Sequence, residues 1–146
     1  MITTQKIESQ TASIEERVEA LLGRLTLSEK VALMSGQDNW KTVAIERLGI
    51  PSIVMTDGPH GVRSSMPESG RMVSPATSFP TGVSMAASWN PDLIERVGAA
   101  LGEETRALGC DILLGPCVNI ARIPLAGRNF ESYSEDPYLA GRIGVA

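Results

Sequence analysis

The stretch Ile53 to Arg63, IVMTDGPHGVR, decides the fold. Ile53 to Met55 is a short apolar run preceded by the turn signals Gly49 and Pro51, which predicts a β-strand buried on both faces. The run stops at Asp57, and Gly58, Pro59 and Gly61 then form a sharp loop that delivers Arg63. The two glycines permit backbone angles and close approaches that side chains would forbid. An acid and a base six residues apart on such a loop can pair with each other, with Asp57 also capping the turn, or they can face a ligand together.

Outward from this stretch, the pattern alternates. On the N-terminal side Ser13 to Glu16 has the Ser-x-x-Glu capping form, and Ile14, Val18, Leu21, Leu22 and Leu25 recur at helical spacing. Thr26 to Glu29 repeats the cap before a second helix that Gly36 stops. On the C-terminal side residues 64 to 82 hold three prolines and seven serines or threonines and read as a long loop. Asn90-Pro91 supplies an N-cap and a proline at the first helical position, and the helix runs to the stop at Gly109. CDILLGPCVNI, residues 110 to 120, follows as a second apolar strand, and Asp136-Pro137 opens a last helix. Strands alternating with helices predict an α/β protein with a parallel sheet or barrel. Two strands cannot close a barrel of eight, which takes about 250 residues, and the chain is expected to be cut off within a helix at GRIGVA. Residues 1–13 read as a polar tail ahead of one domain over 14–146.

The bulk properties exclude several functions. A net charge of −4 with scattered basic residues lacks the positive stripe of a nucleic-acid binder. No apolar run approaches the length of a membrane span, and the N-terminus lacks the form of a secretory signal, so a cytoplasmic location is expected. Cys110 and Cys117 match no zinc or redox spacing and read as buried thiols; with one histidine in the chain, no metal or other cofactor is expected. GVSMA, Gly82 to Ala86, mimics the serine-hydrolase elbow, but no histidine follows Ser84 to complete a triad. The glycine-rich nucleotide motifs are also missing.

In βα architectures, chemistry collects at the carboxyl ends of strands, and both charged loops lie there. The second loop, NIARIPLAGRNFESYSEDP, crowds Arg122, Arg128, Glu131, Glu135 and Asp136. Carboxylates that accept and planar guanidinium forks that donate suit a ligand with vicinal hydroxyls, and sugars are the obvious case. Glu131, Glu135 and Asp136 read as loop holders, arginine partners or a helix cap, and His60 as a partly exposed bystander. Trp89, just before the Asn90 cap, reads as core, whereas Trp40 on a polar loop could wall a sugar site.

Taken together, LMSGQDNWKT, ERLGIPSIVMTDGPHGVR and the long segment from ATSFPTGVSMAASWNPD to SEDPYLAG resemble glycoside hydrolase family 3, the β-glucosidases and related exo-acting enzymes. The likeness is collinear from about residue 14 to the end. It implies the N-terminal part of a TIM-type (β/α)8 barrel, incomplete in this chain. It also implies retaining hydrolysis of a terminal, non-reducing β-linked sugar, usually glucose, as in other enzymes that set two carboxyls about 5 to 5.5 Å apart. By the same resemblance Asp57 grips two hydroxyls of the terminal sugar, while Arg63 and Arg128 donate to it. The family's nucleophile lies in a Ser-Asp-Trp stretch and its acid/base glutamate in a later domain; this sequence contains no Ser-Asp-Trp and no Lys-His pair. The expectation is therefore a sugar-binding part of a β-glucosidase with no catalytic residue of its own. Its partners would be a β-glucoside or oligosaccharide and the remainder of its own barrel with a following domain. The alternative is a non-catalytic carbohydrate-binding or assembly module.

Overall fold

The computed structural model describes residues 13–63 and 75–146. Most of the expected polar tail, and residues 64–74 of the expected loop, lie outside the described residues. The chain divides into two compact units, residues 1–52 and 53–146.

In the first unit both capping signals act as read. Helix α1 spans Ile14–Arg24: the Ser13 hydroxyl accepts from the Glu16 amide, and the Glu16 carboxylate accepts from the Ser13 amide. Helix α2 spans Leu27–Ser35 with the same reciprocal pair between Thr26 and Glu29, and Gly36 ends it at φ 73°. The apolar stripe of α1 departs from expectation. Ile14, Val18 and Leu22 stay exposed, and among the described residues of this small unit Leu25 and Ile45 are the only buried apolar side chains. Arg47, on the 3₁₀ turn Glu46–Leu48, ties the two helices: it donates to the Arg24 carbonyl at 3.0 Å and to both Glu29 carboxylate oxygens at 3.1 and 2.7 Å.

The second unit is a βαβ arrangement. Strand β1 (Met55–Asp57) pairs in parallel with β2 (Ile112–Leu114), in the register Met55 to Ile112, Thr56 to Leu113 and Asp57 to Leu114. The Asp111 side chain takes the Val54 amide at 2.8 Å and its own amide returns to the Val54 carbonyl, which sets that register. Between the strands lie α3 (Gly82–Ala86) and α4 (Pro91–Ala107), with Asn90 capping α4 through the Leu93 amide. Helix α5 (Pro137–Val145) follows, capped by Asp136, and the core joins Met85, Ala86, Ile94, Tyr133, Ala140 and Ile143.

Four expectations need correction. The first strand sits two residues later than its apolar run, because its pairing starts at the Asp111 clamp. It is not buried on both faces: only Thr56 is fully covered, and Ile112 and Leu114 of β2 remain exposed on a sheet of two strands. The second strand covers only Ile112–Leu114 of the expected 110–120, and residues 115–120 run on without regular structure. Trp89 is not core but 73% exposed, with φ 52°. It stands at the reversal between α3 and α4, where its amide bonds back to the Ala86 carbonyl at 3.0 Å, and that left-handed conformation turns the ring outward. Of the cysteines, Cys110 is buried as read and Cys117 only partly so.

Candidate functional site

Asp57 is the last residue of β1 and pairs with the last residue of β2, so its carboxylate stands at the carboxyl edge of the parallel pair. The loop after it is closed by backbone. The Arg63 amide donates to the Asp57 carbonyl at 2.8 Å, and the buried Thr56 hydroxyl donates to the Arg63 carbonyl at 3.1 Å. Gly58 has φ 142°, and a Cβ there would run into the Gly61 carbonyl; a Cβ on Gly61 would lie 2.7 Å from the Thr77 carbonyl. Both glycines are thus required by space, as their spacing suggested.

The Arg63 guanidinium lies 3.7 Å from the Asp57 carboxylate, with the two side chains 59% and 45% exposed. At that length the contact is an ion pair without a hydrogen bond, and exposed pairs of this kind contribute about 0–1 kcal/mol. Among the described residues no backbone amide caps the Asp57 carboxylate, so the turn-capping alternative is not realised and the pairing alternative is realised only loosely. Its oxygens keep their acceptor capacity for a ligand.

Two clefts flank this carboxylate. One of about 450 Å³ is bounded by Asp57, His60, Arg63, Thr77 and Glu131. The other, about 160 Å³, is bounded by Asp57, Pro59, Cys117, Arg128 and Glu131. Asp57 and Glu131 belong to both walls. The structure therefore brings Asp57, Arg63 and Arg128 together around one carboxylate, while Trp40 lies in the first unit, on a loop where its amide donates to the Asp38 side chain at 2.7 Å. Sequence reasoning gave Glu131 no place in the site. Its position three residues past Arg128, on a loop at a strand end, was the available signal.

Glu131 lies on the 3₁₀ turn Asn129–Glu131, and its carboxylate is 3.3 Å from Nε of Arg128. The arginine partner expected for it is therefore present, although Arg128 is exposed, not buried. His60 is half-buried. Its ring meets Phe130 edge-on with centroids 6.3 Å apart, its carbonyl accepts from the Phe79 amide at 2.8 Å, and its buried Nδ1 has no partner among the described residues. Two carboxylates and two guanidinium groups give the clefts no net charge, which suits a polyhydroxylated ligand better than an anion.

A larger groove, about 510 Å³, runs past Trp89, Arg122, Tyr133 and Glu135. Its walls are mainly apolar, and burial followed by the neighbouring Cys117 holds the Tyr133 phenol above its ordinary range, in the protonated form. The chemistry gathers instead at the smaller clefts, where acceptors and donors converge. No group of three or more histidine, cysteine or acidic side chains is placed to hold a metal ion among the described residues, and no described helix is long and apolar enough to cross a membrane.

A parallel βα unit with a carboxylate at the strand end and arginines around it is the arrangement by which βα barrels collect functional groups at the carboxyl ends of their strands. The family model for the glycosyl hydrolase family 3 N terminal domain matches residues 8–146. Thermostable beta-glucosidase B of Acetivibrio thermocellus is 51% identical over 134 residues, which cover 88% of this chain and 18% of that protein. An exo-alpha-(1->6)-L-arabinopyranosidase of Bifidobacterium longum is 50% identical over 126 residues, 83% of this chain and 17% of that protein. Among solved structures, the beta-glucosidase of Kluyveromyces marxianus in complex with glucose superposes with a TM-score of 0.79 at 43% identity, over 87% of this chain and 15% of that one. The chain belongs to glycosyl hydrolase family 3, in its N-terminal domain, and its fold is the N-terminal part of a TIM-type barrel. It spans less than a fifth of the length of these relatives.

Proposed function

We propose that this chain forms the sugar-gripping wall of a retaining β-glucosidase. Asp57 accepts from two hydroxyls of the terminal sugar, and Arg63 and Arg128 donate to the same ring. The nucleophile and the acid/base are supplied from outside these residues, since the sequence holds no Ser-Asp-Trp. The observation that carries the reading is the Asp57 carboxylate at the carboxyl edge of β1 and β2, capped by no backbone amide among the described residues and flanked by clefts that contain Arg63 and Arg128. The names of the relatives support it, for they include beta-glucosidases and an exo-alpha-(1->6)-L-arabinopyranosidase. The proposal rests on the second unit alone and does not draw on Trp40.

The test is a titration of the ¹⁵N-labelled chain with D-glucose, read as amide shifts. We expect shifts at residues 57–63 and 128–131, and an affinity at least about tenfold weaker in Asp57→Asn, because one lost charge-assisted hydrogen bond is worth about 1.5–3 kcal/mol. Equal binding by both forms would remove Asp57 from the site.

A further inference from the structure

We propose that Glu131 is the positioning residue of this cleft, setting the direction in which Arg128 presents its donors to the ligand; the inference rests on the sugar-binding reading above. The two partners differ sharply in freedom. The Glu131 side chain is 14% exposed and that of Arg128 is 78% exposed, so the acid is the fixed member and the arginine the one being held. The shortest contact is an ion pair at Nε, one of five guanidinium N–H donors, so the acid's closest approach uses none of the four donors on the Nη atoms. An arginine held by its Nε is aimed; one without that contact sweeps through many rotamers and gives up that entropy when it binds.

The fixed position of Glu131 has its own causes. Its amide donates to the Arg128 carbonyl at 3.0 Å and the next amide, of Ser132, to the Asn129 carbonyl at 3.2 Å, which closes the turn. The Asn129 side chain donates to the Ile123 carbonyl at 2.8 Å and anchors the turn to the preceding loop. Gly82 opens α3 directly against it: a Cβ there would occupy the place of the Glu131 carbonyl. Phe130, between Asn129 and Glu131, rests on the His60 ring, which links the turn to the loop that carries Asp57. One carboxylate thus borders both clefts around Asp57 and holds an arginine of one of them.

An ion pair with an exposed arginine contributes little to stability, so its effect should appear in binding and not in melting. The experiment follows the Arg128 Nε–Hε NMR signal and the D-glucose affinity of the whole chain in wild type, Glu131→Gln and Glu131→Asp, with thermal melts alongside. The expected result is an unchanged melting temperature, a displaced Nε–Hε signal in both variants, and glucose affinity about tenfold weaker in Glu131→Gln, where the charge is lost but the shape is kept. An Nε–Hε signal that stays in place, or glucose affinity equal to wild type, overturns the proposal. If the wild-type chain ignores glucose altogether, the sugar-binding reading fails, and the Nε–Hε signal still decides the rest. Displacement then upholds the hold of Glu131 on Arg128, and an unmoved signal overturns it.

Discussion

Thr56 is 1% exposed, and its hydroxyl donates to the carbonyl of Arg63 across the loop it helps to close. Thr56→Val keeps the shape and removes that donor, leaving a loop carbonyl without its partner. The expected loss is about 1–2 kcal/mol, read as a lower urea midpoint with an unchanged slope. A midpoint equal to wild type would mean that the loop is held without this bond. Several residues of the site were legible in the sequence for physical reasons. Asp57 was marked by the end of an apolar run, and Gly58 and Gly61 by a loop too tight for side chains. Glu131 was not, since an acid on a charged loop has many partners open to it and only the folded turn shows which one it takes. Trp89 misled for a related reason. A large aromatic beside a helix cap is ordinarily core, and nothing local announces the left-handed backbone that turns it outward.

At the scale of elements, the caps carried the most information, because a capping box is read within four residues and depends on nothing distant. Both boxes formed, and Asn90 and Asp136 capped their helices as read. Strand limits and burial were harder to read, since they depend on partners far along the chain, such as Asp111 for Val54. The α1–α2 junction also carries a pH dependence. Side-chain hydrogen bonds from Arg47, followed by the Thr26 amide, lower the Glu29 carboxyl from 4.5 to about 2, and the same pairing raises Arg47 above its ordinary value. A carboxyl lowered in the folded state stabilises fully above about pH 4.5 and loses that contribution as pH falls through about 2. Arg47→Ala should bring the Glu29 pKa back toward 4.5, measured by NMR titration of its carboxyl carbon. A Glu29 pKa still near 2 in that variant would show that the Thr26 cap alone suffices.

At the scale of the whole molecule, alternation of strands and helices made the α/β class legible, and the two long motifs made the family legible. Alternation could not reveal the division at residue 52, because the turn signals Gly49 and Pro51 mark a bend in the chain and not a boundary between compact units. Nor could it reveal how far the strands stay uncovered: Ile112 and Leu114 are 42% and 45% exposed on a two-stranded sheet. On the proposed reading the chain grips a sugar without carrying the groups that cleave it. Hydrolysis of a chromogenic β-glucoside by the purified 146-residue chain, beside Asp57→Ala, tests it most directly. Neither form should turn the substrate over, while the wild type still binds D-glucose. Turnover by the wild type that disappears in Asp57→Ala would instead place a reacting carboxylate within these residues.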